Sequence, residues 1–224
     1  MKSSKLGLQV FLIVIPTMLI MGAILFIPAG TLDFWEGWLF FSALFIPMFF
    51  VFIYMIRHER RLLEKRLNVR EKRKQQGLIQ LFNTFLFFAS MIIAGFDRRY
   101  GWSHVPFWLV IASDATMLIG YYFFIRTMLH NAYASRVIEV QKGQKVIDTG
   151  PYAVVRHPMY AAGILMYMFI PVALGSFWAM IPLLLIPVML VFRLLDEEKA
   201  MIKGLKGYKR YMKKVKYRLI PCIW

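Results

Sequence analysis

The sequence is short of three things, and each shortage excludes something. It holds one cysteine, Cys222, so no disulfide framework or paired thiol site can form within the chain. Acidic residues number 12 against 28 Lys and Arg, and charged residues make up only 18% of the chain. A soluble domain carries about 25%, so this is not the composition of a soluble globule, a disordered chain or a coiled coil. There is no GxGxxG turn following a strand, which argues against a soluble nucleotide-binding fold. No internal repeat or low-complexity tract is visible. No pair of apolar segments reads as an inverted repeat, which weakens a secondary transporter.

What is present is apolar surface. Hydrophobic residues are 59% of the 224, and the mean hydropathy is +0.57. A helix needs about 20 mostly apolar residues to cross ~30 Å of hydrocarbon. Leu8–Pro28, Trp35–Ile56, Leu78–Gly95 and Val105–Met128 qualify directly. Pro158–Leu195 is too long for one span, and Gly175-Ser176 sits near its middle. It reads as two helices joined by a tight turn, with kinks expected at Pro171, Pro182 and Pro187. The fold class expected is therefore an all-α integral membrane protein of about six spans, the last two a helical hairpin. Two regions are expected, a four-span part over 1–129 and a core over 130–224.

Six spans put both termini on one side, and 26 of the 28 Lys and Arg fall there. Only Arg98 and Arg99 lie opposite. That asymmetry places both termini in the cytoplasm and accounts for the basic excess without nucleic acid. The segment 57–77 carries both signs of charge around Leu62, Leu63 and Leu67. It reads as a surface helix, a solvated connector more than a lipid-binding one.

Polarity gathers in 130–160 and again at 193–198. Val137–Val140 and Lys145–Asp148 alternate on either side of a QKGQ turn, which suggests a short hairpin or extended strap at the membrane surface. Pro158 suits the first turn of a helix, leaving Arg156 and His157 just before its N-terminus. If the hairpin enters at Pro158 and turns at Gly175-Ser176, its arms have similar lengths. Arg193, Glu197 and Glu198 then return to the level of Arg156, His157 and Tyr160. Arg193 and Glu197, four apart, share a helix face. Asp114, in the middle of the fourth span, is costly in lipid and is expected to hydrogen-bond to a neighbouring helix. Tyr208 and Tyr211 read as interfacial anchors. His58, His104 and His130 have no ligand spacing, so no metal is expected.

The pattern Gly150-Pro151-Tyr152, Arg156-His157-Pro158-Met159-Tyr160, Arg193, Glu197-Glu198, Gly207-Tyr208, Tyr211 and Ile220-Pro221 resembles the isoprenylcysteine carboxyl methyltransferases. It also resembles their relatives, the phospholipid N-methyltransferases. The likeness covers roughly 131–221. It implies S-adenosylmethionine as cofactor and a lipophilic methyl acceptor, a prenylated or other lipid-like molecule met in the membrane. Carried over, the cofactor residues would be Glu139, Gln144, Lys145, Val146, Ile147, Tyr152, His157, Pro158, Met159, Tyr160, Glu197 and Glu198. Arg193 would bind substrate and, with Arg156 as second candidate, serve catalysis. Prenylcysteine methyltransferases often carry His where Gln144 stands and an amide where Glu139 stands, which leaves the acceptor open. A carboxylate acceptor needs no base. An amine would want one, and His157 or Glu198 would be the candidates. Phospholipid N-methylation, a non-enzymatic carrier or sensor, and a sterol-reductase-like enzyme are the competing readings.

Overall fold

A computed structural model describes residues 3–67, 74–135, 137 and 140–224. Its regular structure, among the described residues, is helical throughout. Helices α1 (Ser3–Ala29), α2 (Trp35–His58), α4 (Lys74–Tyr100) and α5 (Phe107–His130) correspond to the four direct spans, and α3 (Arg60–Leu67) links α2 to α4. The hairpin follows as α6 (Pro158–Ala173), α7 (Met180–Leu183) and α8 (Leu185–Gly204), and α9 (Tyr208–Lys214) lies in the tail. Helices α1, α2, α4 and α5 are each long and apolar enough to cross a bilayer. The chain is a multi-pass membrane protein.

The last two of the six expected spans differ from expectation. Helix α6 has 16 residues, about 24 Å at 1.5 Å per residue. The returning arm is split at Leu184, between Pro182 and Pro187, each of which lacks an amide donor for the helix ladder. The turn falls where the sequence placed it. Gly175 takes a positive φ of 70°, and its amide and that of Ser176 bond back to the carbonyls of Val172 and Pro171.

Helix α4 is the post against which the hairpin stands. At one end Gln76 Nε2 donates to Asp196 Oδ2 of α8 at 2.8 Å. At the other, the Ser176 hydroxyl of the hairpin tip donates to Asp97. Asp97 also accepts from the Ser103 amide and hydroxyl at 2.6 Å each. Gln76 and Asp97 are about 30 Å apart along the helix axis. Both side chains are buried. Hydropathy alone reads them as outside the span, which is why α4 runs beyond the expected Leu78–Gly95 at both ends.

The principal core joins α1, α2, α4 and the hairpin around Leu25, Phe34, Phe40, Met91 and Leu183. A second cluster packs Leu62 and Leu63 of α3 against Leu6, Met55 and Met128. The described part of the 57–77 segment is thus anchored by its leucines rather than being a solvated connector. No strand pairs across the QKGQ turn among the described residues. Val140 and Val146 instead pack with Leu205, Tyr208 and Tyr211 in a third cluster, so apolar contact to α8 and α9 replaces a ladder. Asp114 is buried, but neither carboxyl oxygen has a hydrogen-bond partner among the described residues. The expected inter-helix bond is not made among the described residues. Helix α5 lies mainly along α6, whose only polar side chains are Tyr160 and Tyr167.

Helices α1 and α4 cross closely enough that a Cβ on Gly95 would sit 2.5 Å from the Leu25 carbonyl oxygen. Gly95→Ala is expected to cost about 1–3 kcal/mol, the scale of overpacking against backbone. Gly22→Ala, with no atom within 4 Å, serves as control. Thermal unfolding in detergent should separate the two variants, and equal midpoints would contradict the close crossing.

Candidate functional site

The segment before α6 is held by the tail. The Arg156 and His157 amides donate to the carbonyls of Tyr217 and Arg218, each at 2.9 Å. Pro158 opens α6 at its first position, where its missing amide costs no helix bond. The chain bends at Arg156 and turns into the helix at Pro158, presenting Arg156 and His157 sideways toward α8.

There they meet Glu198. Arg156 Nε donates to Glu198 Oε1 at 2.7 Å, and His157 Nε2 lies 3.2 Å from the same oxygen. Arg218 Nε donates to Glu198 Oε2 at 3.0 Å. Arg156 Nη1 is further bound by the carbonyls of Val215 and Lys216 at 3.2 Å each. Glu198, Arg156 and His157 are all buried. Burial by itself would raise the Glu198 pKa. The hydrogen bonds from His157 and Arg218 and the charges of His157 and Arg156 outweigh it and hold the carboxyl at about 2, well below its ordinary range.

Glu197, one residue earlier, points about 100° away around the helix. It accepts from the Tyr160 hydroxyl at 2.7 Å and faces a cavity of about 500 Å³. One wall of that cavity is the strap, with Gln144, Lys145, Val146 and Ile147. Tyr152, His157, Met159 and Tyr160 form the side nearest α6. Met201, Leu205, Tyr208 and Tyr211 close the side toward the tail, and Arg193 stands where the cavity runs between α4, α5 and the hairpin. Most of the small-molecule residues expected from the sequence therefore line one space. Arg156 reaches its edge, but with the guanidinium committed to Glu198 and the tail carbonyls. Glu198 and Pro158 are not on the cavity wall. Glu139 lies outside the described residues.

Side chains beyond the expected site residues also shape it. The Asn131 amide donates to the Tyr152 hydroxyl at 3.1 Å, and desolvation raises the Tyr152 pKa to about 12. Tyr211 donates to the Tyr152 carbonyl at 2.8 Å. Tyr208 and Tyr211 are buried, so they are walls rather than interfacial anchors. Gly150, with φ of 57°, lets the turn pass His130, whose ring a Cβ there would meet at 2.8 Å. On α4, Gln76 Oε1 accepts from Arg193 Nη1 at 3.2 Å. Gln76 and Gln80 are spaced i, i+4 on a predominantly apolar helix, which is the one trace they leave in the sequence.

The phospholipid methyltransferase family model matches residues 108–207. That stretch takes in α5, the strap, the hairpin and both glutamates. No curated protein matches the chain.

Because the Glu198 pKa is lowered on folding, its contribution to stability is present above the ordinary value of 4.5 and is lost as pH falls toward about 2. Glu198→Gln should destabilise by about 3–5 kcal/mol at neutral pH, since it strands the buried Arg156 guanidinium, and should flatten the acid limb. Unfolding midpoints measured across that pH range check this. A variant with the wild-type acid limb would contradict it.

Proposed function

We propose, from the match of residues 108–207 to the phospholipid methyltransferase family model and from the cavity this region encloses, that the protein is an S-adenosylmethionine-dependent membrane methyltransferase. Its acceptor is a lipophilic molecule with an anionic head, a prenylcysteine-like carboxylate first. The observation that carries the reading is the Tyr160–Glu197 hydrogen bond in a cavity that Arg193 and the strap 144–147 also line.

The residues fit the cofactor. A volume of about 500 Å³ falls in the range of small-molecule sites. The Glu197 carboxylate suits an ammonium or ribose hydroxyls. Val146, Met201 and Leu205 offer an apolar slot for a purine beside the strap backbone. When bound, S-adenosylmethionine supplies an activated methyl group on a sulfonium.

The protein's own task is then orientation and exclusion of water. Arg193, on the cavity wall toward the spans, suits an acceptor's anionic group through a charge-assisted hydrogen bond. Glu198, held ionised by Arg156 and Arg218, is poorly placed to take a proton, and His157 is engaged with it. A carboxylate acceptor, already ionised at neutral pH, needs neither. This favours O-methyl transfer over methylation of an amine, which would want a base. Arg156 keeps the site's shape in this reading, and its part in catalysis is indirect.

The hairpin completes a six-pass arrangement in the same reading. Its contacts to Gln76 and to Asp97 lie at opposite ends of α4, so its arms run the depth of a spanning helix although α6 is short. The basic excess then puts the cavity and both termini on the cytoplasmic side.

Transfer of labelled methyl to N-acetyl-S-farnesylcysteine, against phosphatidylethanolamine, tests this with purified protein. A base-labile methyl ester on the first is expected, and no calorimetric binding of S-adenosylhomocysteine would reject the reading. Arg193→Ala should lower turnover at least 100-fold, about 3 kcal/mol, while cofactor affinity stays within about tenfold. Glu197→Gln should weaken cofactor binding by about 1–3 kcal/mol. Unchanged cofactor affinity would remove Glu197 from the pocket's function.

A further inference from the structure

The inward face of α4 carries a polar stripe inside an apolar helix. Gln76, Gln80, Asn83 and Thr84 recur at i, i+4, i+7 and i+8 and so share one face, and Phe87 continues it. Gln80, Asn83, Thr84 and Phe87 all line the cavity. Polar groups are costly at such positions in a span and ask for a reason.

The first two hold Arg193. Gln76 is buried, and its amide is fixed at both ends. Nε2 donates to Asp196 at 2.8 Å, so Oε1 is turned to Arg193 Nη1 at 3.2 Å. One turn on, the Gln80 side-chain oxygen, in the amide orientation that satisfies both its ends, accepts from Arg193 Nη1 and Nη2 at 3.1 Å each. Two neutral carbonyls thus fix the guanidinium without adding negative charge of their own. Asn83, nearly one further turn along, has a buried Oδ1 with no hydrogen-bond partner among the described residues. Asn83 lines the cavity, and its buried oxygen asks for a donor that the described residues do not supply.

We propose that this stripe is the acceptor's headgroup subsite. Gln76 and Gln80 are positioning residues that aim Arg193 at an anionic group. Asn83 accepts a hydrogen bond from an N–H of the same head. The acceptor class is an amphiphile bearing an anion and an N–H within one helical turn of each other. A prenylated cysteine amide and an ethanolamine phospholipid share that chemistry. The inference rests on the reading of the cavity as a methyltransferase site, and the test separates the two.

The experiment uses full-length protein in detergent and two matched probe pairs. N-acetyl-S-farnesylcysteine is compared with S-farnesylthiopropionate, which has the carboxylate but no N–H. Lysophosphatidylethanolamine is compared with lysophosphatidylcholine, which keeps the phosphate but has no N–H. In wild type, the N–H-bearing member of at least one pair should bind about tenfold more tightly, and the pair that responds identifies the source. In Asn83→Leu the preference should fall to within twofold, with S-adenosylhomocysteine affinity unchanged. Gln76→Leu, or Gln80→Leu if the first does not fold, should weaken both members of that pair about tenfold. It should raise the acceptor KM but not the cofactor KM. A preference that survives Asn83→Leu, its absence from wild type in both pairs, or unaltered probe binding in the glutamine variants would overturn the proposal. Probe preference without any S-adenosylhomocysteine binding would leave this subsite standing and remove the methyltransferase reading.

Discussion

The structure depends on one buried carboxylate. Glu198 receives Arg156 and His157 from the segment before α6 and Arg218 from the tail, so two separate stretches are clasped at a single point on α8. Burying such charges is costly unless every partner is in place. Here the partners are in place, and Arg156 is further tied to the carbonyls of Val215 and Lys216. The clasp keeps 156–160 beside α8, and the cavity exists in the space it leaves.

Adjacent glutamates divide the work. Glu198 faces the clasp and Glu197 faces the cavity, separated by the rotation of a single helical residue. The same division recurs among the arginines. Arg156 is consumed by structure, while Arg193, on the preceding turn of α8, is held by neutral amides of α4. Helix α4 therefore does more than fill the bundle. It ties the tip of the hairpin through Asp97 and its base through Gln76, and between these points it forms a wall of the cavity.

Much of this was legible in the residues. Gly175-Ser176 in the middle of an over-long apolar run marked the turn. Arms of similar length then required 193–198 to return to 156–160, as the Arg156–Glu198 and Tyr160–Glu197 contacts have it. The four direct spans were readable from hydropathy, with ends displaced wherever a polar residue is buried by a partner, as at Gln76 and Asp97. The division between Glu197 and Glu198 was not readable, because two adjacent acids look alike until the helix phase is known. Nor was the pairing of Gln76 and Gln80 with Arg193, more than a hundred residues away, with no local signal joining them. The alternation around the QKGQ turn was real, but Val140 and Val146 spend their apolar faces on Leu205 and Tyr208 rather than on a ladder.

A double-mutant cycle between Arg156→Met and Glu198→Gln, read by thermal unfolding at neutral pH, tests the clasp most directly. If the two residues share one buried interaction, each single change is costly, and the double change costs less than their sum by about 1.5 kcal/mol or more. Effects that add to within about 0.5 kcal/mol would mean that the carboxylate does not hold these segments together, and the account of the cavity would fall with it.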